Sequence, residues 1–181
     1  IHVKVIPSAS ASLAVNPSSE ASFLFERVPT ACLVFPDDLD WALAVNSTWG
    51  RHCNHLHMFH HKVVNDTLPI DRLHAKSEWH LLCNGLRKLW DNREASPFSW
   101  ILVASQNTFA ILENFRFYVA PLNATLEHYL GHGMRFWNEV YNWGDAGYAL
   151  SYGAVARLME KFPDDKSCLD GGKYWKMADW Y

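Results

Sequence analysis

The chain has 181 residues, of which 49% are hydrophobic, 14% aromatic and 19% charged, with a formal net charge of −3. That length supports one sizeable core, and the aromatic content excludes a chain that stays unfolded for want of apolar surface. The slightly acidic balance lacks the basic field that binding to nucleic acid requires, so no nucleic-acid partner is expected.

Residues 7–22 are rich in Ser, Ala and Pro without a sustained apolar period, which reads as a stem or linker. We therefore place residues 1–29 ahead of a folded unit spanning 30–181. Ala31 to Phe35 is a short buried-strand run stopped by Pro36, and Asp37 or Asp38 offers a cap for a helix carrying Leu39, Ala42, Leu43 and Trp49. Leu56 to Phe59 reads as a second strand. Trp79, Leu82, Cys83, Leu86 and Trp90 share one helical stripe, and an apolar strand follows from Trp100 to Ala104. A helix is predicted over Thr108 to Val119, then a strand at Tyr129 and Leu130. Val155, Leu158, Met159 and Phe162 form a last helix behind a Ser151 cap. Strands alternate with helices, so the pattern predicts an α/β domain with a Rossmann-like, mostly parallel sheet flanked by helices.

In such a sheet, ligands sit beyond the carboxyl ends of the strands. Ser105, Gln106 and Asn107 occupy that place after the central strand, and all three are neutral. A nucleotide diphosphate bound there is ordinarily held through a hard divalent cation gripped by carboxylates, which these side chains do not supply. Of the nearby acids, Asp91 and Glu94 precede the strand and Glu113 lies a turn into the next helix. His52, His55, His57, His60 and His61 crowd one stretch, and His55 and His57 share a strand face. No carboxylate or cysteine other than Cys53 completes a tetrahedral zinc set, and a polar strand end accounts for them equally. Sequons at Asn46, Asn65 and Asn123 fit an N-glycosylated lumenal domain; Asn65 and Asn123 fall in predicted loops, Asn46 in a predicted helix. The first residue is Ile, and no apolar run approaches the roughly 20 residues needed to span a bilayer.

The segment Trp100 to Asn114 (WILVASQNTFAILEN) resembles glycosyltransferase family 31, in its core 1 β1,3-galactosyltransferase branch, whose members read W-F-L-K-A-D-D-D-T-Y-V-I-L-D-N-L here. Trp41 to Cys53 (WALAVNSTWGRHC) is similar to the branch's helix ending in T-W-x-x-H/R-C, and Trp143 to Ser151 (WGDAGYALS) to its G-G-A-G-Y-V-L-S loop. Cys168 to Met177 (CLDGGKYWKM) is close to the run C-P-E-Q-G-G-M-I-W-K-I of the branch's chaperone member, which has likewise lost the aspartates. Motif order and intervals are kept over roughly residues 30–181.

The resemblance implies a GT-A fold truncated at its C-terminus and a type II membrane protein of the endoplasmic reticulum or Golgi lumen, whose N-terminal anchor is absent from this fragment. It also implies a bridge between Cys32 and Cys53, although buried cysteines often serve as small hydrophobes. Cys83, on an apolar stripe, is expected to be an unpaired core thiol, and Cys168 to have lost its partner with the missing part. The family's catalytic base lies in an E-D pair that the run Met177, Ala178, Asp179, Trp180 does not keep. The implied function is a pseudo-glycosyltransferase, with no cofactor, that helps core 1 β1,3-galactosyltransferase fold. A surface that pairs two copies of an ancestral enzyme can pair a degenerate copy with its active relative or with itself, making a homo-oligomer. Two other outcomes stay open. One is an active, manganese-dependent galactosyltransferase using UDP-galactose; the other is a lectin-like module holding a glycan with Trp143, Asp145 and Tyr148. For the latter, Gly144 and Gly147 serve equally as a plain turn with Tyr148 in the core.

Overall fold

A computed structural model describes residues 17–60, 67–105, 107–136 and 138–171. Its first helix, α1, spans Pro17–Arg27 and leads into strand β1, Thr30–Phe35. Leu24 and Val28 are buried in the core, so ordered structure begins well ahead of the residue-30 boundary read from composition. The small polar residues that read as a stem supply the first turn of α1, and the later Leu24 brings the apolar anchor.

After β1 come α2 (Leu39–Ser47), a 3-10 turn (Trp49–His52), β2 (His55–His60) and β3 (Ile70–Arg72). Asp38, not Asp37, is the N-cap of α2, accepting from the Trp41 amide at 3.0 Å. Helix α3 (Glu78–Asp91) starts on Ser77, whose hydroxyl accepts from the His80 amide, and β4 follows at Trp100–Ser105. Helix α4 is shorter than its periodicity predicts: it runs Leu112–Val119, with Ile111 at the cap position and no side-chain cap bond. Residues 108–111 stay outside it because Thr108 is committed to the turn after β4.

The remaining strands are β5 (Tyr129–Gly131), a hairpin of β6 (Gly133–Phe136) and β7 (Glu139–Asn142), and β8 (Tyr148–Ser151). Helix α5 (Tyr152–Lys161) is capped by Ser151, as the sequence predicts, and α6 (Asp165–Gly171) follows. Ser151 does more than cap: its hydroxyl accepts from the His128 and Ala154 amides and donates to the Leu126 carbonyl.

Six strands form one sheet in the order β3-β2-β1-β4-β8-β5, with β6 and β7 as a separate pair. The pairings β3-β2, β2-β1 and β1-β4 are parallel, whereas β8 runs antiparallel to both β4 and β5. The domain is thus mixed α/β with a mostly parallel central sheet flanked by helices, consistent with the expected GT-A glycosyltransferase fold. Alternate residues of β1 and β4 feed two cores, which is why both strands are apolar throughout. Cys32, Val34, Trp100, Leu102 and Ala104 face α1, α2 and α4; Ala31, Leu33, Ile101 and Val103 face α3 and α5. Among the described residues no helix is long and apolar enough to cross a membrane.

Two disulfides fasten these layers. Cys32 and Cys53 are joined across a separation of 21 residues, in line with the implied pairing. Cys83 and Cys168 are also joined, across 85 residues, which corrects the expectation of one unpaired thiol and one orphan. Docking of α6 on α3 brings them together: both sulfurs are buried, the indole N–H of Trp79 donates to the Cys168 carbonyl at 2.8 Å, and Asp165 meets His80 and Asn84. No local pattern announces a contact between such distant segments.

Candidate functional site

Strand order reverses at β1, which has β2 on one side and β4 on the other, so the crevice beyond the ends of β1 and β4 is where an open α/β sheet binds ligands. A pocket of about 140 Å³ lies there. Phe35, Pro36 and Asp37 enter it from β1, His60 from the end of β2, Glu78, Leu81 and Leu82 from the start of α3, and Val103, Ala104, Ser105 and Asn107 from β4. Gly144, Asp145 and Tyr148 close the opposite wall.

The turn after β4 is held by its own hydrogen bonds. The Asn107 amide donates to the Ser105 hydroxyl at 3.1 Å, and the Thr108 amide to the Ser105 carbonyl at 3.2 Å. Thr108 Oγ1 accepts from the Ser105 amide at 3.2 Å and donates to the Asp145 carbonyl at 3.0 Å. That hydroxyl therefore ties the strand end to the facing 3-10 turn, Gly144–Ala146. Gly147 completes the tie: it has φ +74°, and a Cβ there would lie 3.1 Å from Thr108 Cγ2 and 3.3 Å from the Val103 carbonyl. Only glycine takes this conformation without strain. Asn107 does not cap the following helix, and Gln106 lies outside the described residues.

Sequence reasoning missed Thr108, Asp37 and Glu78. The strand-end rule, applied to β1 as well as to β4, points to Asp37; Glu78 is recognisable only once α3 is seen to start over the pocket. With Asp145 these make three acidic residues on the lining, and no Lys or Arg accompanies them. These carboxylates line the pocket without being gathered into one set of ligands for the cation a nucleotide diphosphate would need. The turn where ligands of that kind would stand offers a hydroxyl and an amide, the Ser105 hydroxyl is already engaged, and among the described residues no group of three or more His, Cys, Asp or Glu is disposed to hold a metal ion. Without a cation, acidic walls repel a diphosphate.

The loop from Trp143 to Tyr148 is only partly brought to this pocket. Asp145 and Tyr148 line it; Trp143 does not, its amide instead donating to the His132 carbonyl at 2.9 Å. Tyr148 begins β8, is 7% exposed and packs edge-on against Tyr129 at 5.4 Å, so it is mainly a core residue with one edge in the pocket. The histidines disperse. His52 pairs with Glu113 at 2.7 Å, and His60 joins the pocket wall. His55 and His57 do share a face, with centroids 6.5 Å apart, and His57 stacks on Phe59. Burial, then the neighbouring His55, lowers the His57 pKa from its ordinary value. His61 lies outside the described residues.

Of the sequons, Asn123 is exposed in the turn before β5, and its Oδ1 accepts from the Thr125 amide at 3.0 Å and hydroxyl at 2.8 Å. Asn46 is half-buried on α2, and Asn65 lies outside the described residues, as do Met177, Ala178, Asp179 and Trp180.

No family model matches the chain. A curated protein of Xenopus laevis, glycoprotein-N-acetylgalactosamine 3-beta-galactosyltransferase 1, is 26% identical over 159 residues, covering 80% of this chain and 42% of the relative. The chain thus spans less than half the length of the curated relative it matches. Together with the fold, this similarity supports a family 31 glycosyltransferase-like protein.

Proposed function

We propose that this chain is a pseudo-glycosyltransferase that works by binding: a molecular chaperone, similar to Cosmc, whose client is core 1 β1,3-galactosyltransferase in the lumen of the endoplasmic reticulum or Golgi. It would be held there by a type II anchor. The observation that carries the reading is the turn Ser105 to Asn107, neutral where the family places aspartates and tied into a hydrogen-bonded turn through Thr108. Denatured core 1 galactosyltransferase would be diluted into buffer with the intact lumenal domain and its activity followed. Recovery should exceed that with an unrelated protein of equal size and charge, should need no donor sugar, and should survive substitution at Ser105 and Asn107. Recovery no better than the control discards the chaperone.

Asp37, Glu78 and Asp145 favour one rival, an active enzyme that transfers galactose from UDP-galactose to N-acetylgalactosamine on glycoproteins, the activity that the Xenopus relative's name carries. Manganese-dependent turnover by the purified domain, abolished by Asp37→Asn or Asp145→Asn, would establish that reading instead. On the pseudoenzyme reading, neither manganese-dependent donor binding nor transfer is expected.

A further inference from the structure

A second cavity lies beside the tie between Thr108 and Asp145. It measures about 530 Å³ and sits between the segment that leads into α4 and the strands β5 to β7. Thr108 and Gly147 belong to its lining, and Tyr148 is the one described residue it shares with the strand-end pocket. Clefts that take small molecules commonly measure about 300–1,000 Å³ and combine aromatic walls with a few placed polar groups.

Phe109 ahead of α4, Tyr118 of α4 and Tyr129 of β5 bring to this cleft aromatic rings that are 71%, 64% and 47% exposed. Phe115 also lines it and packs edge-on against the buried Trp100 at 6.1 Å, which anchors the α4 side in the core. Among the described residues no charged side chain and no histidine lines the cleft. Its polar side chain on the strand side is Asn142, 8% exposed and packed against β5 at Gly131, where a Cβ would lie 2.9 Å from the Asn142 Cγ. The Asn142 Nδ2 donates to the Tyr129 carbonyl at 3.4 Å, and among the described residues its Oδ1 accepts no hydrogen bond. At Gly133, also on the lining, a Cβ would meet nothing within 4 Å, so the cleft is open there.

A nearly buried amide oxygen without a partner is a place for a hydrogen-bond donor. A purely apolar ligand would leave it unmet, and a charged ligand would enter a cleft with no counter-charge. An uncharged pyranose meets both demands. The C–H groups on one face of its ring carry slight positive charge, which suits the negative face of an aromatic ring, and its hydroxyls can donate to the amide oxygen. We propose that this cleft is a binding site for an uncharged pyranose sugar, seated on Tyr118 and Phe109 with one hydroxyl donating to Asn142 Oδ1. The inference is independent of the chaperone reading.

Saturation-transfer NMR on the full 181-residue chain tests it, with lactose, diacetylchitobiose and mannobiose as uncharged probes and glucuronic acid as a charged one. At least one uncharged probe should take up saturation at its ring C–H protons, and glucuronic acid should take up none. Tyr118→Ala and Asn142→Ala should each weaken that binding about fivefold or more. Tyr118 is exposed, so its replacement leaves the core intact and keeps the test decisive should Asn142→Ala fail to fold. No binding of any uncharged probe, equal binding of glucuronic acid, or undiminished binding by Tyr118→Ala or by folded Asn142→Ala would overturn the proposal. So would loss of binding in Asp37→Asn, which would put the sugar in the strand-end pocket.

Discussion

The two faces of the sheet are built alike and held differently. Each has a disulfide and, beside it, a buried polar side chain that makes hydrogen bonds. On the face covered by α1, α2 and α4, Cys32 and Cys53 close a local loop, and Arg116 reinforces the same loop. Arg116 is 1% exposed, donates to the His52 carbonyl at 2.7 Å and to Asn54 Oδ1 at 2.9 Å, and lies over the Phe25 ring. On the face covered by α3 and α5, Cys83 and Cys168 join segments 85 residues apart, and buried His80 holds Asp165 of α6. One face is stapled within a βαβ unit; the other depends on a distant helix returning to it. The candidate pocket opens on the second face, where the packing is long-range.

Removing each bridge separates the two arrangements most strongly. In the chain-entropy account a crosslink of 85 residues is worth about 4–5 kcal/mol and one of 21 residues about 3 kcal/mol. Cys168→Ser should therefore cost more stability than Cys53→Ser in denaturant unfolding, and the reverse order would break the comparison. Non-reducing peptide mapping should recover both bridges from protein made in an oxidising lumen.

The next largest effect concerns the tie between the end of β4 and the facing turn across the pocket. Gly147→Val forces a branched residue into a left-handed conformation against Thr108 and the Val103 carbonyl, costing about 1–3 kcal/mol from backbone strain alone. Thr108→Val should cost about 1–2 kcal/mol through the lost hydroxyl contacts to the Ser105 amide and the Asp145 carbonyl. Amide exchange near Asp145 should quicken in the second variant without change around Cys53. Equal quickening at both places would mean that the faces are not independently held.

The smallest effect is a pH dependence confined to the α3 face. Burial, then His55, keeps His57 from taking up a proton until below its ordinary value. An unfolded His57 protonates near pH 6.5, so the unfolded state binds more protons as pH falls through that value. His57 thus costs no stability above that range and progressively destabilises the fold as pH drops below it, until the lower folded value is passed. His57→Asn should flatten the fall in melting temperature between about pH 7 and pH 5. A parallel curve would show that other groups carry it.

The strands β1, β2, β4 and β5, helices α2, α3 and α5 and the Ser151 cap were legible because each rests on a near neighbour in sequence or on a repeat of apolar residues, whereas the Cys32 to Cys53 bridge was implied by the family resemblance. The neutral strand end at Ser105 and Asn107 was legible for the same reason: it follows directly from the apolar run of β4. What sequence alone left open are meetings between segments far apart. Strand β8 is only four residues long, and its place between β4 and β5 depends on antiparallel pairing with both. Cys83 and Cys168 meet because α6 packs on α3, and Thr108 reaches the Asp145 carbonyl across 37 positions. Asp37 and Glu78 become pocket residues only when the sheet order places β1 beside β4 and sets the start of α3 over their ends. Side-chain periodicity encodes which face a residue presents. Which distant element meets that face is decided by the closure of the whole core.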